Sequence, residues 1–258
     1  MEYRHFTQMK ETKDNFTKQA GQYAKYRPDY PPALYGFLFS LVSGKHAAWD
    51  CGTGNGQVAL KLAGFFDSVY ASDLSDQQIK NAVQKNNVFY SVARAEASSF
   101  DDNSFALITV AHAIHWFDFD SFYKEVNRVI KPKGIFAVIG YGLLEIDQQT
   151  DKLIHHFYYN IIGRFWDKER KYIDEHYQTI PFPFNEMEVP LLVNSFEWTL
   201  DELTGYVETW SAVQHYIKAN KDNPVELLKK DLKEIWPGND TRKIKFPILL
   251  RLARIDKG

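Results

Sequence analysis

The sequence is poor in the features of secreted and membrane proteins. It contains a single cysteine, Cys51, which excludes a disulfide or a thiolate-rich metal cluster within these residues. No apolar run approaches the roughly 20 residues of a membrane-spanning helix, and the polar N-terminus has no apolar signal-peptide core. We therefore expect a cytoplasmic protein with no membrane partner and no metal site.

An excess of charge of either sign is also absent. Lys and Arg total 31 against 33 Asp and Glu, so the formal net charge is -2. Because proteins that bind nucleic acids usually carry a basic excess, we expect no nucleic-acid partner. What the chain has in surplus is aromatic residues, at 16%, which indicates either a ring-rich core or an apolar pocket.

Strand-like and helix-like apolar patterns alternate through the middle of the chain. Short apolar runs predict five strands, at residues 46–51, 68–72, 88–93, 105–111 and 135–141. Helical patterns predict helices between them, at residues 56–64, 75–85 and 120–131. This alternation predicts an α/β fold, with an open, mostly parallel sheet and helices on both faces. Ligands of such sheets bind at the carboxyl ends of the strands.

The flanking segments differ from this middle part. Residues 1–32 are expected to form an N-terminal helical cap, and residues 33–142 the core. Residues 143–240 are rich in helical patterns and aromatic rings, so we expect a helical insert that covers the carboxyl edge as a substrate lid. Residues 241–258 are expected to add a C-terminal strand to the sheet. We attribute much of the aromatic surplus to the segments expected to cover the cofactor, at residues 23–35, 115–117 and 157–236.

The strongest chemical signal is the glycine-rich segment 50–56, which lies between a predicted strand and a predicted helix. A dinucleotide-binding loop would have glycine where this chain has Gln57, and the lysine of a phosphate-binding loop is missing. Asp50 would repel a pyrophosphate and would favour a cationic ligand such as S-adenosylmethionine, which carries an ammonium and a sulfonium. Asp73 follows the second strand, where an acid can accept hydrogen bonds from a ribose diol; such an acid can also be only a helix cap.

Several motifs resemble those of the class I S-adenosylmethionine-dependent methyltransferases. They are Asp50 to Gly56, Asp73-Leu74, Ala95-Glu96-Ala97, residues 107–118 (LITVAHAIHWFD) and residues 125–134 (EVNRVIKPKG). The opening at residues 15–31 and the segment 209–213 are most similar to the trans-aconitate methyltransferase-like subgroup. The resemblance implies a Rossmann-like fold with a seven-stranded sheet.

The resemblance also implies a binding site for S-adenosylmethionine, which leaves as S-adenosylhomocysteine. The implied cofactor-binding residues are Arg27, Asp50, Gly52, Gly54, Gly56, Asp73, Leu74, Ala95, Glu96 and Ala111. In this interpretation the glycines lie beneath the methionine part, Asp73 holds the ribose, and Arg27 reaches the carboxylate. Many relatives have an acid where this chain has Arg94, and Glu96 is the candidate replacement.

The residues that would bind or activate the methyl acceptor form a second group of candidates. His112 and His115 are candidate catalytic residues, and Tyr23, Trp116, Arg164 and His215 are candidate substrate residues. His115 can equally be a structural polar residue, and Trp116 a wall. A carboxylate acceptor would need no base because it is ionised at pH 7, whereas an amine or hydroxyl would need one. The cations available to anchor an acid are Arg27, Arg164, Lys168, Arg170 and His215, which the sequence does not rank.

We therefore predict a methyltransferase that acts on a small molecule, with a small carboxylic acid as one candidate acceptor. Two alternatives stay open at this point. One is a nicotinamide-dependent oxidoreductase, against which Gln57 and Asp50 argue. The other is a non-catalytic cofactor-binding protein whose site is blocked by the ring-rich insert. The sequence does not predict an oligomeric state.

Overall fold

The computed structural model describes residues 26–257, so Tyr23 and most of the expected N-terminal cap lie outside the described residues. Seven strands form one sheet in the order β3-β2-β1-β4-β5-β7-β6. The strands are β1 (Ala47–Cys51), β2 (Ser68–Asp73), β3 (Val88–Val92), β4 (Phe105–Ala111), β5 (Ile130–Tyr141), β6 (Val193–Trp198) and β7 (Arg242–Ile255). The first five pair in parallel, whereas β7 runs antiparallel to both β5 and β6. The α/β prediction and the expected seven-stranded sheet are confirmed.

Helices pack on the sheet and above its carboxyl edge. In the described part of the chain they are α1 (Pro32–Leu41), α2 (Gln57–Leu62), α3 (Asp76–Lys80), α4 (Phe119–Val129), α5 (Gln148–His156), α6 (Lys171–Asp174), α7 (Leu200–Glu208), α8 (Ser211–Asn220) and α9 (Val225–Ile235). Single turns of 3₁₀-helix lie at Ile114–Trp116, Gly163–Phe165 and Lys168–Arg170, and a π-helical turn continues α5 at Phe157–Ile161.

The central strands have the composition that burial on both faces requires. Every residue of β1 is buried, and so are six of the seven residues of β4. Sequence order reverses between β1 and β4, with β2 and β3 on one side and β5 on the other. The loops after β1 and β4 therefore meet at the switch point, where doubly wound sheets bind their ligands.

Two features of the fold differ from the sequence prediction. Helix α3 ends at Lys80 instead of near Lys85. The chain turns away there, and the Asn87 side-chain amide donates hydrogen bonds to the carbonyl oxygens of Ala63 (3.0 Å) and Phe66 (2.9 Å). The expected helical insert, residues 143–240, also contains strand β6. This strand has alternating burial and forms the sheet edge beside β7, an element that the prediction of a helix-rich insert did not include.

The aromatic surplus is not confined to the insert. On one face of the sheet Trp49 lies 5.4 Å from Phe100, 6.0 Å from Phe105 and 6.3 Å from Phe122, measured between ring centroids. On the other face, insert rings such as Tyr206 pack against Phe246 of β7, with centroids 5.3 Å apart. The surplus therefore does not lie only in the segments expected to cover the cofactor, because rings also build the core beneath β1 and β4.

Within residues 26–257, no helix is both long enough and apolar enough to cross a membrane.

Phe122 provides a test of this ring-built core. It is fully buried in α4, and its ring lies 4.8 Å from Phe117 and 6.0 Å from Phe136. We expect Phe122→Ala to lower the free energy of unfolding by about 3–5 kcal/mol, because a ring-sized cavity is left. Lys124→Ala, an exposed change on the same helix, should shift it by less than about 0.5 kcal/mol. Urea unfolding measures the free energy of unfolding of both variants. Equally small effects would contradict a structural role of Phe122 in the aromatic core.

Candidate active site

The glycine-rich loop joins β1 to α2 and follows a backbone path that requires glycine. Gly52, Gly54 and Gly56 have φ values of +70°, +56° and +86°. A Cβ atom at Gly52 would lie 2.5 Å from Cβ of Ala113, and one at Gly56 would collide with the Tyr90 hydroxyl. A Cβ atom at Gly54 would meet nothing within 4 Å. The loop is therefore packed against protein at its two ends and faces open space at its centre.

Successive amides of this loop donate hydrogen bonds to the protein itself. The amides of Gly52 and Thr53 donate to the carbonyl oxygen of Ser72, at 2.8 and 2.9 Å. The amide of Gly54 donates to Oδ2 of Asp73 at 2.8 Å. A phosphate-binding loop keeps such amides for its ligand. This geometry therefore supports the prediction that the loop does not cradle a phosphate.

Asp50 lies at the end of β1, and its carboxylate is buried and fully engaged. Oδ2 accepts a hydrogen bond from the Thr53 hydroxyl at 2.5 Å, and Oδ1 accepts one from the Thr109 hydroxyl of β4 at 2.8 Å. Removal from water raises the pKa of Asp50 to about 6, although both hydroxyls act in the opposite direction. The ionised carboxylate would accordingly be stabilised by a cationic ligand nearby.

Asp73 ends β2 and faces the same loop. In addition to the Gly54 amide, it accepts a hydrogen bond from the amide of Ser75 at 2.8 Å. The N-cap of α3 is Ser75, whose hydroxyl accepts a hydrogen bond from the Gln78 amide, so Asp73 is not merely a helix cap. Its neighbour Leu74 is an apolar side chain that is 43% exposed. A carboxylate beside an exposed apolar side chain suits a ribose with a flat base attached.

Ala95 and Glu96 follow β3. Ala95 is buried, and Oε1 of Glu96 accepts a hydrogen bond from the amide of Asp118 at 3.1 Å. Oε2 of Glu96 lies 3.4 Å from Nε of Arg94. Glu96, which was expected at the adenine edge, thus pairs with Arg94, and it also ties this segment to the start of α4.

His112 directly follows Ala111, the last residue of β4, in a left-handed conformation with φ of +53°. Its amide donates to the carbonyl oxygen of Ile139, and its ring nitrogen Nε2 accepts a hydrogen bond from the amide of Tyr141 at 3.1 Å. Because Nε2 accepts, the proton of the neutral ring resides on Nδ1. Desolvation, followed by the positive charges of Arg27, His115 and Arg170, lowers the pKa of His112 well below 6.5.

Arg27 meets His112 at the carboxyl end of β5. Its Nη1 donates to the Tyr141 hydroxyl at 3.0 Å, and its Nη2 to the carbonyl oxygen of Thr209 at 3.4 Å. The guanidinium carbon lies 5.6 Å from the centre of the Tyr206 ring. Arg27 thereby links the core to the segment between α7 and α8.

His115 and Trp116 form the 3₁₀ turn after β4. His115 is buried, and its ring centroid lies 5.0 Å from that of Trp116 and 6.3 Å from that of Tyr177. His115 is therefore packed among rings, and Trp116 serves as a wall beside it.

Arg164 and His215, the remaining candidate substrate residues, lie together at another turn. The guanidinium of Arg164 lies over the Phe165 ring at 4.9 Å, and Nδ1 of His215 is 2.9 Å from the Phe165 carbonyl oxygen. Asp167 is 3.9 Å from the same nitrogen. Within residues 26–257 these contacts do not bring either residue to His112 or Arg27.

Two residues gain importance only in the structure. Arg170, one of five unranked cations in the sequence, lies near enough for its charge to contribute to the lowered pKa of His112 and to oppose the effect of burial on the pKa of Tyr141. Tyr177 is fully buried against Gly140, where a Cβ atom would lie 2.7 Å from the Tyr177 ring. Tyr177 has φ of +61°, a left-handed conformation that no sequence pattern predicts for a tyrosine.

Comparisons with known proteins agree on one family. A protein-family model described as a methyltransferase domain matches residues 49–138 of the sequence. A protein of Dictyostelium discoideum named as a methyltransferase is 31% identical over 249 residues, which cover 93% of this chain and 95% of that one. The chain is a class I S-adenosylmethionine-dependent methyltransferase.

Further matches agree that the chain belongs to the methyltransferase family. The structure of a type II methyltransferase from Anaeromyxobacter dehalogenans superposes with a TM-score of 0.84 at 35% identity, over 90% of this chain and 100% of that one. An S-adenosylmethionine-dependent methyltransferase of Saccharomyces cerevisiae is 22% identical, over 92% of this chain and 95% of the yeast protein. The oxidoreductase and non-catalytic alternatives are therefore set aside.

The geometry of the methyltransferase fits S-adenosylmethionine as its cofactor. The open space at Gly54 offers room for a ligand against the loop. The carboxylates of Asp50 and Asp73 lie on either side of that loop and suit a ligand that carries positive charge and hydroxyl groups. Within residues 26–257, no group of three or more His, Cys, Asp or Glu side chains is arranged to hold a metal ion.

Gly54 allows a test that separates cofactor binding from backbone strain. Gly54→Ala places a methyl group into the open space at φ of +56°, and we expect it to weaken binding of S-adenosylhomocysteine by about tenfold or more. Gly238→Ala is the matched control, because Gly238 has φ of +81°, also has nothing within 4 Å, and lies outside the loop. Calorimetric titration and thermal unfolding of both variants measure the effects. Wild-type affinity in Gly54→Ala would contradict the placement of the cofactor.

Proposed function

We propose that the methyltransferase transfers a methyl group to a carboxylate oxygen of a small molecule, as the resemblance to the trans-aconitate methyltransferase-like subgroup implies. S-adenosylmethionine, when bound, supplies a methyl group activated by a positively charged sulfur. The protein then has to hold the acceptor oxygen in line with that methyl group and exclude water. An ionised carboxylate needs no proton removed before it reacts.

The hydrogen bond between the Tyr141 amide and Nε2 of His112 carries this proposal. It occupies the only lone pair with which the neutral imidazole ring could take up a proton. The lowered pKa of His112 further disfavours proton uptake at neutral pH. His112, a candidate base by sequence, is therefore suited to donate a hydrogen bond from Nδ1 and poorly suited to general-base catalysis.

Two guanidinium groups near His112 favour an anionic acceptor. Arg27 and Arg170 are far apart in the sequence, and the charges of both lower the pKa of His112. The same two charges oppose the effect of burial on Tyr141, whose pKa is raised to about 12. Positive potential at the edge where β4 and β5 end would attract a carboxylate and would repel a protonated amine.

We further propose that residues 143–240 act as the lid over this acceptor. Tyr206 and Trp210 of this segment pack at 5.8 Å, and Trp210 packs at 5.5 Å from Tyr158, all three being buried. Thr209 in the same segment accepts the hydrogen bond from Arg27. Such a cover would exclude bulk water from the reacting groups.

An activity screen tests the proposal. The full chain is incubated with methyl-labelled S-adenosylmethionine and a panel of small carboxylic acids, each beside its amide and its amine analogue. We expect labelled methyl esters, recognised because mild base releases them as volatile methanol. Base-stable label on amines or alcohols alone would refute a carboxylate acceptor and would point to His115 as a base.

His112→Asn tests the absence of a general base. Asparagine tolerates the left-handed backbone of this position and retains a side-chain hydrogen-bond donor. We expect kcat of the variant for a carboxylate acceptor to stay within about tenfold of the wild type, and the wild-type pH profile to show no ionisation of His112 between pH 6.5 and 8.5. A general base would instead contribute about 10²- to 10⁴-fold. A loss of that size, not matched by a loss of S-adenosylhomocysteine binding, would contradict the proposal.

A further inference from the structure

Two buried hydrogen-bond donors have no acceptor within residues 26–257; one is near enough for the charge of Arg170 to act on its pKa, and the other lies on a ring that the Arg170 guanidinium covers. One is the hydroxyl of Tyr177, which is fully buried, and the other is the indole Nε1 of Trp166. Buried polar groups are nearly always hydrogen-bonded, and an unsatisfied one lowers stability. Two such donors near one arginine indicate that this part of the protein is built for an acceptor that residues 26–257 do not provide.

Arg170 is fixed in orientation by its neighbours. Its Nε donates to the Tyr158 hydroxyl at 2.6 Å, and that hydroxyl donates to Oδ1 of Asp174 at 2.5 Å. The guanidinium carbon lies 4.4 Å from the centre of the Trp166 ring and 5.3 Å from that of Tyr158. Rings thus cover the guanidinium, and Tyr158 holds its Nε edge. Within the described residues these contacts leave the two Nη atoms as the edge that can bind a ligand.

The Tyr177 hydroxyl is brought to the same region by an unusual turn. His176 and Tyr177 both have left-handed backbones, with φ of +53° and +61°. The ring of Tyr177 occupies the place that a Cβ atom of Gly140 would need. Gly140 precedes Tyr141, whose amide holds His112. The unsatisfied hydroxyl therefore lies at the edge of the sheet where the methyl acceptor is expected.

We propose that the Nη edge of Arg170, the Tyr177 hydroxyl and the Trp166 indole N–H form a subsite for an oxyanion carried by the methyl acceptor. The planar guanidinium edge matches a carboxylate with two parallel hydrogen bonds. Tyr158 and Asp174 are positioning residues, because they act on Arg170 and not on the ligand. The identity of the ligand as the acceptor rests on the proposed function, but the anion-binding chemistry does not.

Binding of simple oxyanions tests the subsite without any turnover. The full chain, saturated with S-adenosylhomocysteine, is titrated with acetate, with inorganic phosphate and with neutral acetamide, and tryptophan fluorescence is recorded because Trp166 lies beside the guanidinium. We expect saturable binding of acetate, with a dissociation constant on the order of 1–100 mM, and no saturable response to acetamide. Saturation by phosphate as well would extend the subsite to oxyanions in general. A wild-type protein that shows no saturable response to either anion overturns the proposal.

Two variants and one control locate the binding. Arg170→Gln should weaken acetate binding by about tenfold or more. Lys171→Gln removes the same charge from the adjacent, exposed residue and should leave acetate binding unchanged. Tyr177→Phe should weaken acetate binding by about fivefold while the melting temperature stays equal or rises, because a buried unsatisfied hydroxyl is removed. Unchanged acetate binding in both Arg170→Gln and Tyr177→Phe would refute the subsite, even if Arg170→Gln unfolds more easily.

Measurements of methyl transfer distinguish the proposed carboxylate acceptor from the proposed oxyanion subsite. If carboxylates are methylated, Arg170→Gln and Tyr158→Phe should raise KM for the acceptor with little change in kcat or in S-adenosylhomocysteine affinity, and Arg170→Lys should restore part of the loss. Methylation with an unchanged KM in Arg170→Gln would overturn the subsite and leave the proposed function intact. Acetate binding that depends on Arg170, without any methyl ester in the screen, would overturn the carboxylate acceptor and leave the subsite intact.

Discussion

The buried carboxylate of Asp50 connects the two segments on which the cofactor site depends. It accepts hydrogen bonds from Thr53 in the glycine-rich loop and from Thr109 in β4, so the loop cannot shift without breaking its link to the sheet. Keeping this group ionised is costly, on the order of 3 kcal/mol at neutral pH, because burial raises its pKa from 3.8 to about 6. The folded state thus loses stability as the pH rises from about 4 to 6. A cationic ligand offsets this cost, and the site is therefore prepared for one.

The carboxyl edge of the sheet is divided by charge. The ends of β1 and β2 carry the acids Asp50 and Asp73 around a loop whose amides are mostly used by the protein. The ends of β4 and β5 carry the neutral His112 and lie near the guanidinium groups of Arg27 and Arg170. A positively charged methyl donor on one side and an anionic acceptor on the other would be drawn together by this arrangement. Positioning and electrostatics can then supply the catalysis without proton transfer.

The sequence predicted those elements whose conformation depends mainly on residues that are close together in the chain. The run Phe105–Ala111, buried on both faces, and the loop between Gly52 and Gly56, which needs positive φ, could both be identified without tertiary information. Strand β6 escaped prediction because its six residues form an edge strand inside a mainly helical segment. The importance of Arg170 and Tyr177, and the protonation of His112, depend on contacts between residues far apart in the chain. One example is the hydrogen bond from the Tyr141 amide to His112, which no sequence pattern encodes.

The number of protons released when S-adenosylhomocysteine binds is the most direct test of whether a cationic ligand stabilises the ionised carboxylate of Asp50. Calorimetric titrations at pH 6, in buffers of different ionisation enthalpy, give that number from the slope of the observed enthalpy. Asp50 is about half protonated in the free protein at that pH, and the ammonium of the ligand should ionise it. We expect release of about half a proton by the wild type and none attributable to this residue in Asp50→Asn. Equal proton release by both proteins, or no release by the wild type, would contradict this stabilisation.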